Sequence, residues 1–70
     1  MEKFSERVRE LRKERGLKQA EMADICGVKV RSYQRYEHGD GYPEVPGLVF
    51  LADYFNVSLD YLMGRKDERT

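Results

Sequence analysis

Seventy residues, 40% hydrophobic and 37% charged, make one small domain whose burial leaves stability marginal unless a partner adds to it. No apolar run is long enough for a membrane span, low-complexity tracts and repeats are absent, and a single cysteine excludes an internal disulfide. The net charge of zero conceals a division: residues 1–39 carry ten Lys/Arg against seven Asp/Glu, and residues 40–70 carry three against six. Such a division can orient a protein on an anionic surface even when the total cancels.

The chain opens on MEKFSERVRE, which alternates charge and lacks the apolar core of a signal peptide; a cytoplasmic location is expected. Phe4, Val8 and Leu11 recur at helical spacing and predict a first helix from about Phe4 to Arg15, stopped by Gly16 with Leu17 packing back. A second helix is expected over 19–26, with Met22, Ala23, Ile25 and Cys26 inward and Cys26 a small buried hydrophobe. Gly27 and Val28 supply a bend, and a third helix follows over 30–38, ending at Gly39. Ala23, four positions before Gly27, is the small residue that a steep helix crossing requires.

Asp40, Gly41, Tyr42 and Pro43 are turn formers and predict a loop. A fourth helix starts near Val45, where Pro46 is tolerated in the first turn, and buries Leu48, Leu51, Ala52 and Phe55. Asn56 ends it in a left-handed conformation. Ser58 caps a last helix, Leu59 to Met63, before Gly64, and the charged tail 65–70 is expected to fray. No segment alternates with period two. The expected fold is all-α, five short helices around one core spanning 1–64.

The order and spacing of these pieces resemble the lambda-repressor-like (Xre, Cro/cI type) helix-turn-helix domains over about Phe4 to Gly64. The resemblance is carried by the LRKERGLKQAEMA run, the CGV turn, RYEHG, the single proline after the loop, and LADYFNVSLDYLMG. It implies a five-helix lambda-repressor-like fold whose third helix enters the major groove of double-stranded DNA. On that helix Tyr33, Tyr36 and Glu37 share an inward face; Arg31, Gln34 and Arg35 share the opposite one, with Val30 beside them. A solvated polar face is the ordinary outcome for such residues. In a helix-turn-helix they become base readers: Arg for guanine, Gln for adenine, Val for a thymine methyl.

Gln19, matching the family's glutamine, is expected to bond the DNA backbone at the start of the second helix, with Lys18 and Lys29 as further phosphate contacts. Glu37 lies at the unfavourable negative end of its helix and needs a cation. The family match supplies Arg12, a structural pair tying the first helix to the third. Three departures stand out. Lys18 and Lys29 replace the usual Ser or Thr caps, at a cost of about 1 kcal/mol each. Tyr33 replaces an aliphatic residue, and the loop Asp40–Tyr42 carries no basic side chain.

The expected function is sequence-specific regulation of transcription, most naturally repression, by a homodimer on a two-fold operator. Candidates for the dimer surface are Tyr42, Val45 and Tyr61 to Met63. The competing reading is an antitoxin or adaptor that kept the fold for protein interaction, which the neutral total charge favours. An enzyme is not expected: there is no nucleophile–base set, no phosphate-cradling glycine loop, and His38 has no second His or Cys nearby for zinc. No cofactor, small-molecule substrate or membrane is implied. A chain this short leaves no room for a separate effector domain, so a signal is expected to act through a partner or a further segment.

Overall fold

The first helix begins before its apolar stripe does. In the computed structural model, which describes residues 2–70 with the side chain of Glu2 set aside, α1 spans Glu2–Glu14. Periodicity marks a helix only from its first inward residue, here Phe4, so the preceding charged turn was outside its reach. Met1, first residue of the expected 1–64 unit, lies outside the described residues. Arg15 already belongs to the turn that Gly16 completes with φ +67°.

The other helices are α2 Gln19–Cys26, α3 Val30–His38, α4 Val45–Phe55 and α5 Leu59–Leu62. The described residues hold no strand, and no helix among them is long and apolar enough to cross a membrane. The bend between α2 and α3 is a left-handed Gly27 (φ +72°) whose neighbour Val28 donates its N–H back to the Ala23 carbonyl at 3.0 Å. Asn56 repeats the device after α4 with φ +58°, and Val57 N–H reaches the Ala52 carbonyl. Pro46 stands in the first turn of α4.

Phe4, Val8 and Leu11 of α1, Met22 and Ala23 of α2, Tyr33 of α3, and Leu48, Leu51, Ala52 and Phe55 of α4 form one core. Ile25, Cys26 and Tyr36 pack against it but stay half-buried, so Cys26 is an edge residue rather than the buried hydrophobe expected. Burial still pushes its thiol above the usual range, toward the neutral form.

Two expectations at the C-terminal end are corrected. Tyr61 and Leu62 are 6% and 0% exposed and complete the core, and Met63 is half-buried, so the residues 61–63 offered as a docking surface are not an exposed apolar face. The tail, expected to be free of the body, is bonded to it. Arg7 of α1 donates to the carbonyls of Tyr61 and Lys66 at 2.5 and 2.6 Å and lies over the Tyr61 ring. Arg69 grips both oxygens of Glu14, and its carbonyl accepts the Ser58 N–H. Charge content marks the tail as solvated, and its residues are exposed; Arg7 and Arg69, both over the Tyr61 ring, tie it to the body of the domain.

The missing caps act unequally. At α2 the Glu21 carboxylate accepts the Lys18 main-chain N–H at 2.8 Å, half of a capping box, which offsets part of the expected loss. At α3 the Lys29 side chain makes no cap hydrogen bond and no acid stands in the first turn, so that end stays bare.

Candidate nucleic-acid interface

The third helix has two faces with different duties. Its inner face carries Tyr33, fully buried, and Glu37, 3% exposed. Glu37 is an acceptor only, and its two oxygens gather four donors. Arg12 approaches side-on, Nε to Oε2 at 2.6 Å and Nη2 to Oε1 at 3.0 Å. Gln19 Nε2 donates to Oε1 at 3.1 Å, and the Tyr33 hydroxyl donates to Oε2. Arg9 donates to the Glu37 main-chain carbonyl at 3.2 Å, and Arg12 Nη1 holds the Leu17 carbonyl at 2.8 Å. The expected Arg12–Glu37 pair is therefore present, and the planar guanidinium meets the carboxylate through two parallel bonds.

Burial alone would push the Glu37 carboxyl upward; the hydrogen bonds from Arg12, Tyr33 and Gln19 outweigh it and hold the group below the ordinary carboxylate range. The bond to Glu37 likewise raises Arg12, and burial together with Glu37 raises the Tyr33 phenol. A carboxylate with a lowered folded pKa contributes stability in full above its unfolded value, about 4.3, and loses it as pH falls through the folded value. Acid titration of the wild type should show this loss, followed by helical circular dichroism. The stability gap between wild type and Glu37→Gln should narrow as pH falls below about 4.3. A gap that stays constant to the acid limit would mean Glu37 does not titrate in the folded state. Glu14, held low by its bond to Arg69, titrates in both proteins and cancels in the comparison.

The outer face carries Val30, Arg31, Gln34 and Arg35, all exposed, with Val30 at 40%. They fall together as their spacing of three and four dictates. Arg31 makes no hydrogen bond or ion pair with other described residues. Arg35 Nη2 rests at 3.3 Å from the Asp40 carbonyl, beside a shallow polar cleft lined also by Ser32, Tyr36, Gly41 and Tyr42. Gln34 Nε2 donates to Gln19 Oε1 at 3.2 Å. Lys18 and Lys29 are exposed at the starts of α2 and α3, and Gln19 is half-buried between Glu37 and Gln34.

Sequence reasoning missed the use made of Gln19. Because Glu37 can only accept, Gln19 must turn its NH2 group inward and its carbonyl outward. That carbonyl takes one N–H of Gln34, so the buried carboxylate sets which way the exposed amide faces. Tyr33 was read only as an oversize core residue; its place one turn before an inward glutamate was the available signal for the hydroxyl contact.

The sequence profile of the helix-turn-helix family matches residues 8–62. The cryptic phage CTXphi transcriptional repressor RstR of Vibrio cholerae is 43% identical over 90% of this chain and 56% of its own length. The uncharacterized HTH-type transcriptional regulator YqaE of Bacillus subtilis is 37% identical over 94% of this chain and 58% of its own. The chain thus spans little more than half the length of these relatives. A transcriptional regulator from Listeria innocua, known by crystal structure, superposes with a TM-score of 0.83 at 38% identity, covering 87% of this chain and 57% of that one. With the bent α2–α3 pair, the buried Arg12–Glu37 tie and the five-helix order in place, this chain belongs to the helix-turn-helix family, in its Xre, lambda-repressor-like form.

Proposed function

We propose that the chain is the DNA-reading domain of a cytoplasmic transcription regulator, a repressor, two copies of which bind a two-fold operator. The observation that carries this reading is the outward face of α3: three long polar side chains and one small apolar one project from a helix whose other face is locked into the core. The name of the RstR relative supports the choice of repressor. Arg31 and Arg35 read guanines, and Val30 packs on a thymine methyl. Gln34, with one N–H spent on Gln19, keeps its carbonyl and its second N–H, the acceptor and donor that adenine N6 and N7 require.

Lys18 and Lys29 take phosphates as point charges. Gln19 takes its phosphate through the main-chain amide at the start of α2, since its side chain is engaged. The chemistry is binding without catalysis.

Affinity for duplex DNA, measured by fluorescence anisotropy across a salt series, tests this. Log affinity should fall linearly with log salt. Lys18→Ala should weaken all sequences alike and reduce the slope by about 1. Absence of duplex binding at low salt would reject the reading and favour the protein-interaction alternative.

A further inference from the structure

A chain of one-way hydrogen bonds runs from the buried Glu37 carboxylate to the exposed face of α3. Arg12 donates to both carboxylate oxygens, Nε to Oε2 at 2.6 Å and Nη2 to Oε1 at 3.0 Å, and a guanidinium cannot accept. Oε1 is therefore an acceptor to every neighbour, and Gln19 meets it with Nε2 at 3.1 Å. The Gln19 carbonyl is left for Gln34, whose Nε2 donates to it at 3.2 Å. A reversed Gln19 amide would set its carbonyl against the carboxylate and its NH2 against the Gln34 NH2, losing both bonds at once. In the orientation found, every buried side-chain N or O among the described residues has a partner.

The direction of each bond fixes the next. Gln34 turns its nitrogen to Gln19, so the carbonyl oxygen is the end of its exposed amide left to face outward. An untethered glutamine amide turns over by half a rotation, exchanging acceptor for donor at nearly the same place, and so discriminates poorly between the two. Here that rotation breaks the bond to Gln19. In the major groove the distinction separates the bases into two classes. Adenine and cytosine present amino groups, N6 and N4; guanine and thymine present the oxygens O6 and O4.

We propose that Glu37, acting through Gln19, sets the base preference at the position Gln34 faces, favouring the amino bases adenine and cytosine over the keto bases guanine and thymine. Glu37 and Gln19 are positioning residues; the contact to the base is made by Gln34. The inference rests on the DNA-reading role of α3 given above and deepens it. Glu37→Gln should reverse the chain. Its amide oxygen keeps the Oε2 place, where Arg12 makes its shorter bond and the Tyr33 hydroxyl also donates, and its NH2 takes the Oε1 place. Gln19 then accepts from residue 37 and donates to Gln34, whose NH2 turns outward.

The test selects sites from random duplexes with the full chain and three variants. Gln34→Ala identifies the base position that residue 34 faces, as the one where preference is lost. At that position the wild type should favour amino over keto bases about tenfold. Gln19→Met should bring the ratio close to one, and Glu37→Gln should move it toward the keto bases, with the preferences assigned to Arg31 and Arg35 kept. A merely structural role for either residue would weaken all sequences alike and move no single position. An unmoved ratio in Gln19→Met or in folded Glu37→Gln overturns the proposal, as does a Gln34→Ala selection that matches wild type throughout. If Glu37→Gln does not fold, Gln19→Met decides, since Arg12 and Tyr33 still hold Glu37 there. In the free protein, the NMR resonances of the Gln34 side-chain NH2 should be displaced by Gln19→Met, and unmoved resonances overturn the bond chain. Duplex binding with an unmoved ratio rejects this inference alone; no duplex binding by the wild type at low salt rejects the regulator reading and this inference with it.

Discussion

Arg12→Ala is expected to lower the unfolding free energy by about 3–5 kcal/mol, read by urea denaturation followed by circular dichroism. The cause is what stays behind. Glu37 is 3% exposed and loses its only ion-pair partner among the described residues, keeping the neutral donors of Gln19 and Tyr33. It also sits in the last turn of α3, where the helix carbonyls oppose a negative charge. The Leu17 carbonyl loses its donor in the same change. At about 0.05–0.15 kcal/mol per residue, a domain of this size has roughly 4–10 kcal/mol in total, so the change removes from about a third to all of it. Adding Glu37→Gln to Arg12→Ala should recover part of the loss, because the buried group is then neutral. If Arg12→Ala unfolds within about 0.5 kcal/mol of wild type, the pair is not the tie between α1 and α3 described here.

Arg31→Ala and Arg35→Ala should each cost about 1–3 kcal/mol of duplex affinity, roughly 5- to 150-fold, and each should relax preference at its own base position. Selection of sites from random duplexes, repeated with each variant, reads both effects. The two side chains start from different states. Arg31 has no partner among the described residues, so its whole fork is available and its ordering is paid on binding. Arg35 is steadied by the Asp40 carbonyl at 3.3 Å, a long bond, and still has its other donors free. Arg31→Lys should not restore the wild-type preference, since an ammonium lacks the planar two-pronged geometry that guanine matches. Unchanged site preference in both alanine variants would remove α3 as the reader. Both residues are exposed, so thermal stability should change little, which separates this loss from that of Arg12→Ala.

The two results bear on one arrangement. Arg12 acts at a distance from any duplex, yet through Glu37 and Gln19 it is joined by hydrogen bonds to Gln34 on the exposed face. The inner network sets the position of α3 and the orientation of one exposed amide on it; the arginines proposed as readers, Arg31 and Arg35, lie outside that network.

The amino-acid sequence by itself determined the helices and their stops. Their causes are local: apolar residues at spacings of three and four, left-handed Gly27, Gly39 and Asn56, and a serine cap accepting the Tyr61 N–H. The division of α3 into an inner and an outer face is equally local, because helical spacing alone assigns it. Other features depended on which elements meet. A four-residue α5 is too short to show a periodic stripe, so packing against α1 and α4 decided that Tyr61 and Leu62 turn inward. The tail is charged, and contacts with Arg7 and Glu14, more than fifty positions away, add to its local bonds in seating it. The inward turn of the Gln19 amide and the Tyr33 hydroxyl on Glu37 arise where α1, α2 and α3 converge on one acceptor. Spacing along a helix reports what one element does; the direction of a hydrogen bond between elements is settled only once they are packed.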